Sequence, residues 1–148
     1  MTTAIHRRVD ALRAGRDPTF VARLASGWAV LGERQVLPGY CLLLPDPVVP
    51  DLNALAAADR AAFLADMAAL GDAVLAVTRA IRINYAILGN QDPALHAHVI
   101  PRYAHEPAPH ATDTPWSYDW DAAPPFDAES HRELRDRLHA ALGSAGRG

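Results

Sequence analysis

The chain has 148 residues, half of them hydrophobic, and a formal net charge of −3 at pH 7. This length and apolar content predict one compact domain with a core of its own and argue against a second domain. All fourteen basic residues are arginine, but they are scattered along the sequence and the net charge is slightly negative. The sequence therefore does not indicate a basic surface for binding nucleic acid.

Cys41 is the only cysteine and lies in the apolar run "YCLLLP", so no internal disulfide can form and a buried, reduced thiol is expected. The opening stretch "MTTAIHRRVDALRAGRD" lacks the apolar core of a signal peptide, and nowhere do eighteen apolar residues follow one another without a charge. We expect a cytoplasmic protein that has no membrane partner.

Helix and strand patterns alternate through the first half of the chain. Thr3 can cap a short helix whose Ile5, Val9 and Leu12 fall on one stripe, and the helix is expected to end near residues 15–18. The stretch "FVARLASGWAVLGERQVLPGYCLLLP" then predicts strands that are separated by turns and are antiparallel neighbours.

One long helix follows, predicted over Asp59 to Ala80. Its apolar residues recur at helical spacing, which is typical of a helix packed on a core through one face. The residues of this stripe are Phe63, Met67, Leu70, Val74 and Val77.

Two histidines stand out in the next segment, "INYAILGNQDPALHAHVIPRY", which predicts a strand, a turn and a second strand. Because side chains alternate along a strand, Leu95, Ala97 and Val99 should face the core. His96 and His98 should then share the other, open face, close enough to hold one small object between them.

Beyond Tyr103 the sequence becomes rich in proline and aromatic residues, which predicts a loop laid over the surface at 104–126. Asp127 can cap a final helix over 127–142 with an apolar stripe of Leu134, Leu138 and Leu142, and "GSAGRG" is expected to fray. The predicted fold is an α+β domain over 1–148 with a core at 21–103: about five antiparallel strands, one long helix, and peripheral N- and C-terminal helices.

Three interpretations of His96 and His98 remain open on the residues alone. They can be solvent-facing strand residues, or two ligands of a metal, although no cysteine or carboxylate supplies an obvious third ligand nearby. They can also act on phosphorus, where one neutral imidazole attacks and the other donates a hydrogen bond to phosphate oxygens.

The segment "LHAHVIPR" resembles the signature of the histidine triad (HIT) family, in which three histidines alternate with apolar residues. The resemblance extends upstream through "RQVLPGYCLLLPDPVVPDLNAL" and "INYAILGN", and so covers roughly Val21 to Tyr103 in the same order and spacing. It implies the HIT-like fold, a homodimer, and an enzyme that acts at the α-phosphate of nucleotides or dinucleoside polyphosphates.

The sequence departs from this family pattern in three places. Ala94 stands where the first histidine of the triad belongs, and Gly32 stands where the family commonly has a polar residue that contacts ribose. The family's Gly-Gln phosphate-binding pair is not cleanly present, although "GNQD" supplies Asn90 and Gln91. The resemblance therefore implies nucleotide recognition less strongly than it implies the fold.

Residue roles follow from the resemblance. His96 takes the place of the nucleophile that carries the nucleotidyl group, and His98 that of a donor to the phosphate or the leaving group. Asn84, Asn90, Gln91 and Arg102 are the predicted nucleotide-binding residues. No cofactor or metal is expected. For Asn90 a turn-forming role is an equal alternative, and for Arg102, at the end of a strand, a solvated charge is the commoner alternative.

The late loop carries Trp116, Tyr118 and Trp120, which could stack on a nucleotide base or could seal the edge of the core. Two classes of function remain: an enzyme that works through a nucleotidyl-histidine, and a nucleotide-binding module whose incomplete triad no longer turns over.

Overall fold

Five strands form one antiparallel sheet in the computed structural model, which describes residues 2–145. Their order in the sheet is β1-β2-β3-β5-β4, which confirms the predicted α+β fold with about five antiparallel strands. Because β5 is inserted between β3 and β4, the histidine segment lies inside the sheet. The strands are β1 (Phe20–Arg23), β2 (Gly27–Leu31), β3 (Cys41–Pro45), β4 (Arg82–Ala86) and β5 (Ala97–Arg102).

The first helix, α1 (Ala4–Arg13), begins at Thr3 as predicted. The Thr3 hydroxyl accepts from the backbone N–H of His6 at 3.2 Å, and the Thr3 N–H donates to Nδ1 of His6 at 3.2 Å. This reciprocal pair satisfies two backbone donors in the manner of a capping box, with histidine in place of the usual glutamate. The predicted stripe of Ile5, Val9 and Leu12 is buried.

The long helix α2 (Ala57–Thr78) begins and ends two residues earlier than predicted. It ends because Arg79 adopts a left-handed conformation with φ of 60°. Among residues 2–145, α2 is the one helix long and apolar enough to span a membrane by length and composition. Phe63, Leu70 and Val74 are nevertheless fully buried in the core formed with the sheet.

The last helix, α3 (Arg132–Ala145), begins five residues after Asp127. Asp127 caps a turn that precedes the helix, since its carboxylate accepts from the N–H of Ser130 at 2.8 Å. Leu138 and Leu142 are buried as predicted and Leu134 packs beside them. The helix continues into the segment expected to fray, and residues 146–148 lie outside the described residues.

Both faces of the sheet are covered. Helices α2 and α3 pack on one face, where Leu95, Ala97 and Val99 are buried as predicted. Helix α1 and the late loop cover the face that carries Val30 and Leu42. The histidines lie on the face opposite to this core, as predicted, but that face is not open, because α1 and the loop return over it and leave clefts beside the imidazoles.

Candidate active site

The two histidines lie where the chain enters β5. His98 belongs to the strand and is paired with Leu42 on β3 and Ala86 on β4, whereas His96 immediately precedes it. Both side chains are half-buried, and their ring centroids are 5.1 Å apart. Backbone pairing on both sides holds His98 rigidly, and the two imidazoles are close enough to contact one phosphate together.

His96 has its tautomer fixed by the backbone. Its Nδ1 lies 2.7 Å from the carbonyl oxygen of Ala94, and since a carbonyl can only accept, Nδ1 must carry a proton and donate it. In the neutral ring, Nε2 then holds the free lone pair. No hydrogen bond to Nε2 occurs within residues 2–145. This is the protonation pattern that a nucleophilic imidazole requires.

His98 is held by a tyrosine that sequence reasoning missed. The hydroxyl of Tyr40 lies 2.7 Å from Nδ1 of His98, and the two rings stack with centroids 5.9 Å apart. Burial, reinforced by the neighbouring His96, lowers the pKa of His98 to about 4, so that its imidazole is neutral at pH 7. Burial also raises the pKa of Tyr40 well above its usual value, which keeps the phenol protonated.

Tyr40 also explains the glycine that departs from the family pattern. A Cβ placed on Gly32 would lie 2.2 Å from the ring of Tyr40, a distance that no side chain tolerates. Tyr40 therefore occupies the space in which a polar side chain at position 32 would lie. The only hint in the sequence was the aromatic residue directly after Pro38 and Gly39.

Ala94, at the position of the missing first histidine, is fully buried beneath α1. Its methyl group does not reach the cleft, but its carbonyl accepts the hydrogen bond from His96. Because this contact uses the backbone, it does not depend on which side chain stands at position 94.

A cleft of about 580 Å³ opens beside the imidazoles. One wall is the turn at residues 88–92, where Gly89 takes the left-handed position with φ of 76°. Asn90 and Gln91 both line the cleft and are exposed. Within the part of the chain that is described, neither amide side chain forms a hydrogen bond, so both are free to bind a ligand.

Trp116 and Trp120 also line this cleft. Their rings stack with centroids 5.0 Å apart, and Trp116 stands edge-on to His98 at 5.3 Å. Trp120 is partly buried against the core and Trp116 is 42% exposed, so the pair both covers the core edge and presents an aromatic surface to the cleft. Tyr118, the third aromatic residue of the loop, instead donates to Glu106 at 2.7 Å.

Asn84 and Arg102 share the sheet face of His98 but do not line the cleft. Arg102 is buried and bonded to Glu106, with N···O distances of 3.0–3.2 Å. It also donates to the side-chain oxygen of Asn84 and to the carbonyls of His110 and Asp113, each at 2.8 Å. These contacts give the two residues a structural role in holding the late loop, and Arg102 is not the solvated charge considered from sequence.

No group of three or more histidine, cysteine, aspartate or glutamate side chains within residues 2–145 is arranged to hold a metal ion. The buried Cys41 on β3 points into the core, where burial raises the pKa of its thiol to about 12. The titratable groups that line the cleft are the two imidazoles, Tyr40 and Asp92.

Comparison with known proteins shows the family of this chain. A family model described as the HIT domain matches residues 18–105. A histidine triad protein from Sinorhizobium meliloti is 25% identical with a TM-score of 0.71, over 88% of this chain and 93% of that one. One from Marinobacter aquaeolei is 21% identical with a TM-score of 0.76, over 97% and 98%.

A hypothetical histidine triad nucleotide-binding protein from Sulfolobus tokodaii is 13% identical with a TM-score of 0.72, over 92% of this chain and 91% of that one. No curated protein shows significant similarity to the sequence. The similarity to solved structures therefore extends over nearly the whole chain, whereas the family model covers its central part.

Proposed function

Because the chain belongs to the histidine triad family, whose members are nucleotide-binding hydrolases and transferases, we propose that it cleaves nucleotides or dinucleoside polyphosphates at the α-phosphate through a nucleotidyl-histidine on His96. The observation that carries the proposal is the 2.7 Å hydrogen bond from Nδ1 of His96 to the Ala94 carbonyl. It leaves the lone pair of Nε2 available to attack phosphorus.

His98 supplies the hydrogen-bond donor for the phosphate. A buried tyrosine hydroxyl needs an acceptor, and within residues 2–145 the only hydrogen-bond partner of the Tyr40 hydroxyl is Nδ1 of His98. Tyr40 therefore donates to Nδ1, and the single proton of the neutral imidazole resides on Nε2. That N–H can donate to an oxygen of the α-phosphate, where negative charge develops in the transition state.

The cleft offers the remaining contacts of a nucleotide. A base can stack against Trp116, because aromatic faces bind bases without needing specific hydrogen bonds. The amides of Asn90 and Gln91, which line the same cleft, can donate to phosphate or ribose oxygens. A volume of about 580 Å³ is in the usual range for small-molecule sites.

The reaction has two in-line steps. Nε2 of His96 forms a bond to the α-phosphorus while the bond to the leaving oxygen breaks, and the electron pair departs with that oxygen. Water then attacks the phosphorus and gives up a proton to the solvent, the phosphorus–nitrogen bond breaks, and Nε2 regains its lone pair. The Ala94 carbonyl stabilises the positive charge that His96 acquires while it carries the nucleotidyl group.

The covalent intermediate provides the test. The full-length chain is incubated with a diadenosine polyphosphate and, separately, with adenosine phosphoramidate, quenched within milliseconds to seconds, and analysed by mass spectrometry. We expect an adenylyl adduct on His96 that His96→Asn abolishes and that His98→Asn, the matched control, retains at a slower rate of formation. Nucleotide binding without an adduct or turnover would instead indicate a binding module.

We further propose that the protein is a homodimer. β4 is an edge strand of the sheet, and Tyr85 on it and Ile81 just before it are 42% and 59% exposed. An uncovered edge with apolar side chains favours pairing with a second copy. Light scattering should give about twice the 15.9 kDa chain mass, and Tyr85→Glu should give a monomer. A wild-type monomer at micromolar concentration would contradict this assembly.

A further inference from the structure

A second cavity borders the same two imidazoles. It has a volume of about 570 Å³ and runs from His96 and His98 towards α1 and the segment that follows it. The tryptophan cleft is lined by aromatic rings and amides, whereas three arginines, Arg7, Arg8 and Arg16, line this cavity. The imidazoles therefore lie between an aromatic cleft and a cationic one.

The three arginines differ in what their guanidinium groups contact. Arg8 pairs with Asp17 at 3.3 Å and donates to the Thr19 hydroxyl and the Leu31 carbonyl, each at 2.8 Å. These contacts anchor α1 to the sheet. Arg7 and Arg16 are exposed, and within residues 2–145 neither side chain forms an ion pair or a hydrogen bond. Both are available to bind an anion at the cavity.

Two carboxylates also line this cavity. Asp17 is already paired with Arg8 and accepts from the Thr19 N–H and hydroxyl at 2.9 and 2.6 Å. Glu33 is exposed and is the remaining acidic group. The two unpaired guanidinium groups carry two positive charges and Glu33 carries one negative charge. The net free charge at the cavity is therefore positive and favours the binding of an anion.

We propose that this cavity binds the phosphate chain beyond the scissile bond, and that the substrates are nucleotides whose leaving group is itself a phosphate or polyphosphate. This inference rests on the proposed function. With the nucleoside stacked in the aromatic cleft and the α-phosphate at Nε2 of His96, the rest of the chain enters the neighbouring cavity. Guanidinium groups bind phosphate oxygens in charge-assisted pairs, which suits this position.

The chemistry of the first step explains why cations are useful there. When His96 attacks, the bond from the α-phosphorus to the bridging oxygen breaks, and its electron pair moves to that oxygen on the leaving phosphate. The leaving group therefore gains negative charge in the transition state. Arg7 and Arg16 stabilise this charge, whereas a neutral amine leaving group gains nothing from them.

The test compares two leaving groups on the full-length protein. The double variant Arg7→Gln/Arg16→Gln should lower kcat/KM for diadenosine tetraphosphate by about ten- to a hundredfold, since it removes two charge-assisted contacts. For adenosine phosphoramidate, which releases ammonia, the change should stay below about threefold. Arg132→Gln/Arg137→Gln removes the same charge from exposed positions on α3 and serves as the control.

Equal losses on both substrates, or no loss on either, would overturn the phosphate-chain site while leaving the proposed function intact. Absence of turnover by the wild type on both substrates would reject the proposed function instead. In that case calorimetry with inorganic tripolyphosphate decides: the arginine double variant should bind it at least about tenfold more weakly than the wild type and the α3 control. Equal affinities of all three proteins would overturn the site.

Discussion

The two faces of the sheet are built from different chemistry. The face beneath α2 and α3 is filled by apolar side chains such as Leu43, Leu70 and Val99. The face beneath α1 and the late loop combines an apolar cluster with His98, Tyr40 and the buried Arg102–Glu106 pair.

The face beneath α2 and α3 contributes mainly to stability, whereas the face that carries the imidazoles contributes the chemistry. Apolar burial is non-directional, so the helical face needs only a matching volume of hydrophobic side chains. Buried polar groups need partners at fixed distances, and the other face therefore holds its side chains in single orientations. We expect substitutions on the helical face to change the free energy of unfolding, and substitutions at the imidazoles to change the rate of reaction.

The largest expected effect tests the chemical side of this contrast. His96→Asn should lower turnover by more than about a thousandfold, because no other route through the covalent intermediate exists. His98→Ala removes one donor and should lower turnover by about a hundred- to a thousandfold. Single-turnover kinetics measures both, with thermal melting as the control for folding. Equal, modest losses would show that His96 is not a nucleophile.

The buried ion pair should show that a polar contact can also govern stability. Arg102→Leu leaves the buried Glu106 carboxylate unpaired and should destabilise the protein by about 3–5 kcal/mol. The late loop should loosen as well, with weaker nucleotide binding at the tryptophans. Urea unfolding followed by tryptophan fluorescence measures the loss of stability, and a nucleotide titration of the folded protein measures the weaker binding. Arg13→Leu, at an exposed pair with Asp46, is the control and should have a much smaller effect.

On the helical face the prediction is a loss of stability alone. Leu70→Ala should destabilise the protein by about 2–5 kcal/mol, since it opens a cavity in a fully buried position. Turnover per folded molecule should stay unchanged below the melting temperature. Leu64→Ala on the same helix, at a position 36% exposed, is the matched control. If Leu70→Ala lowered kcat without lowering stability, the claim that the α2/α3 face contributes only stability would be contradicted.

The buried imidazole makes stability depend on pH. Because the pKa of His98 is lowered from 6.5 to about 4, the unfolded chain binds its proton first as the pH falls. The free energy of unfolding should therefore decrease between about pH 6.5 and pH 4, by up to about 2 kcal/mol after allowance for partial exposure. In His98→Asn this part of the pH dependence should disappear, and an unchanged profile would contradict a neutral buried His98.

The smallest expected effect concerns the tyrosine that orients His98. Tyr40→Phe removes one hydrogen bond and should lower kcat about three- to tenfold with KM nearly unchanged. The apparent pKa of His98 should also shift, which a purely structural change would not produce. Tyr118→Phe, whose hydroxyl donates to Glu106 on the same side of the sheet, is the control for loss of a hydroxyl. An equal fall in kcat in the Tyr40→Phe and Tyr118→Phe variants would show that Tyr40 does not position His98.

The sequence by itself determined the elements and the histidine pair. Thr3 marked the beginning of α1, the 3.6-residue stripe around Leu70 marked α2, and alternation around Ala97 assigned Leu95 and Val99 to the core. These properties depend on neighbours within one or two turns of the chain, so local periodicity is sufficient to predict them. The predicted helix boundaries were less accurate, because the conformation of a single residue can end a helix. Arg79 ends α2 in a left-handed conformation that the sequence pattern did not predict.

Only the tertiary structure decided what surrounds the imidazoles. Tyr40 contacts His98 from 58 positions away in the sequence, and Arg7 and Arg16 line a cavity beside the same imidazoles from a segment near the N-terminus. Arg102 lay on the predicted face, yet its donors are taken up by the late loop. Such contacts depend on how distant segments pack, and the packing is set by the sum of all buried surfaces rather than by any local pattern.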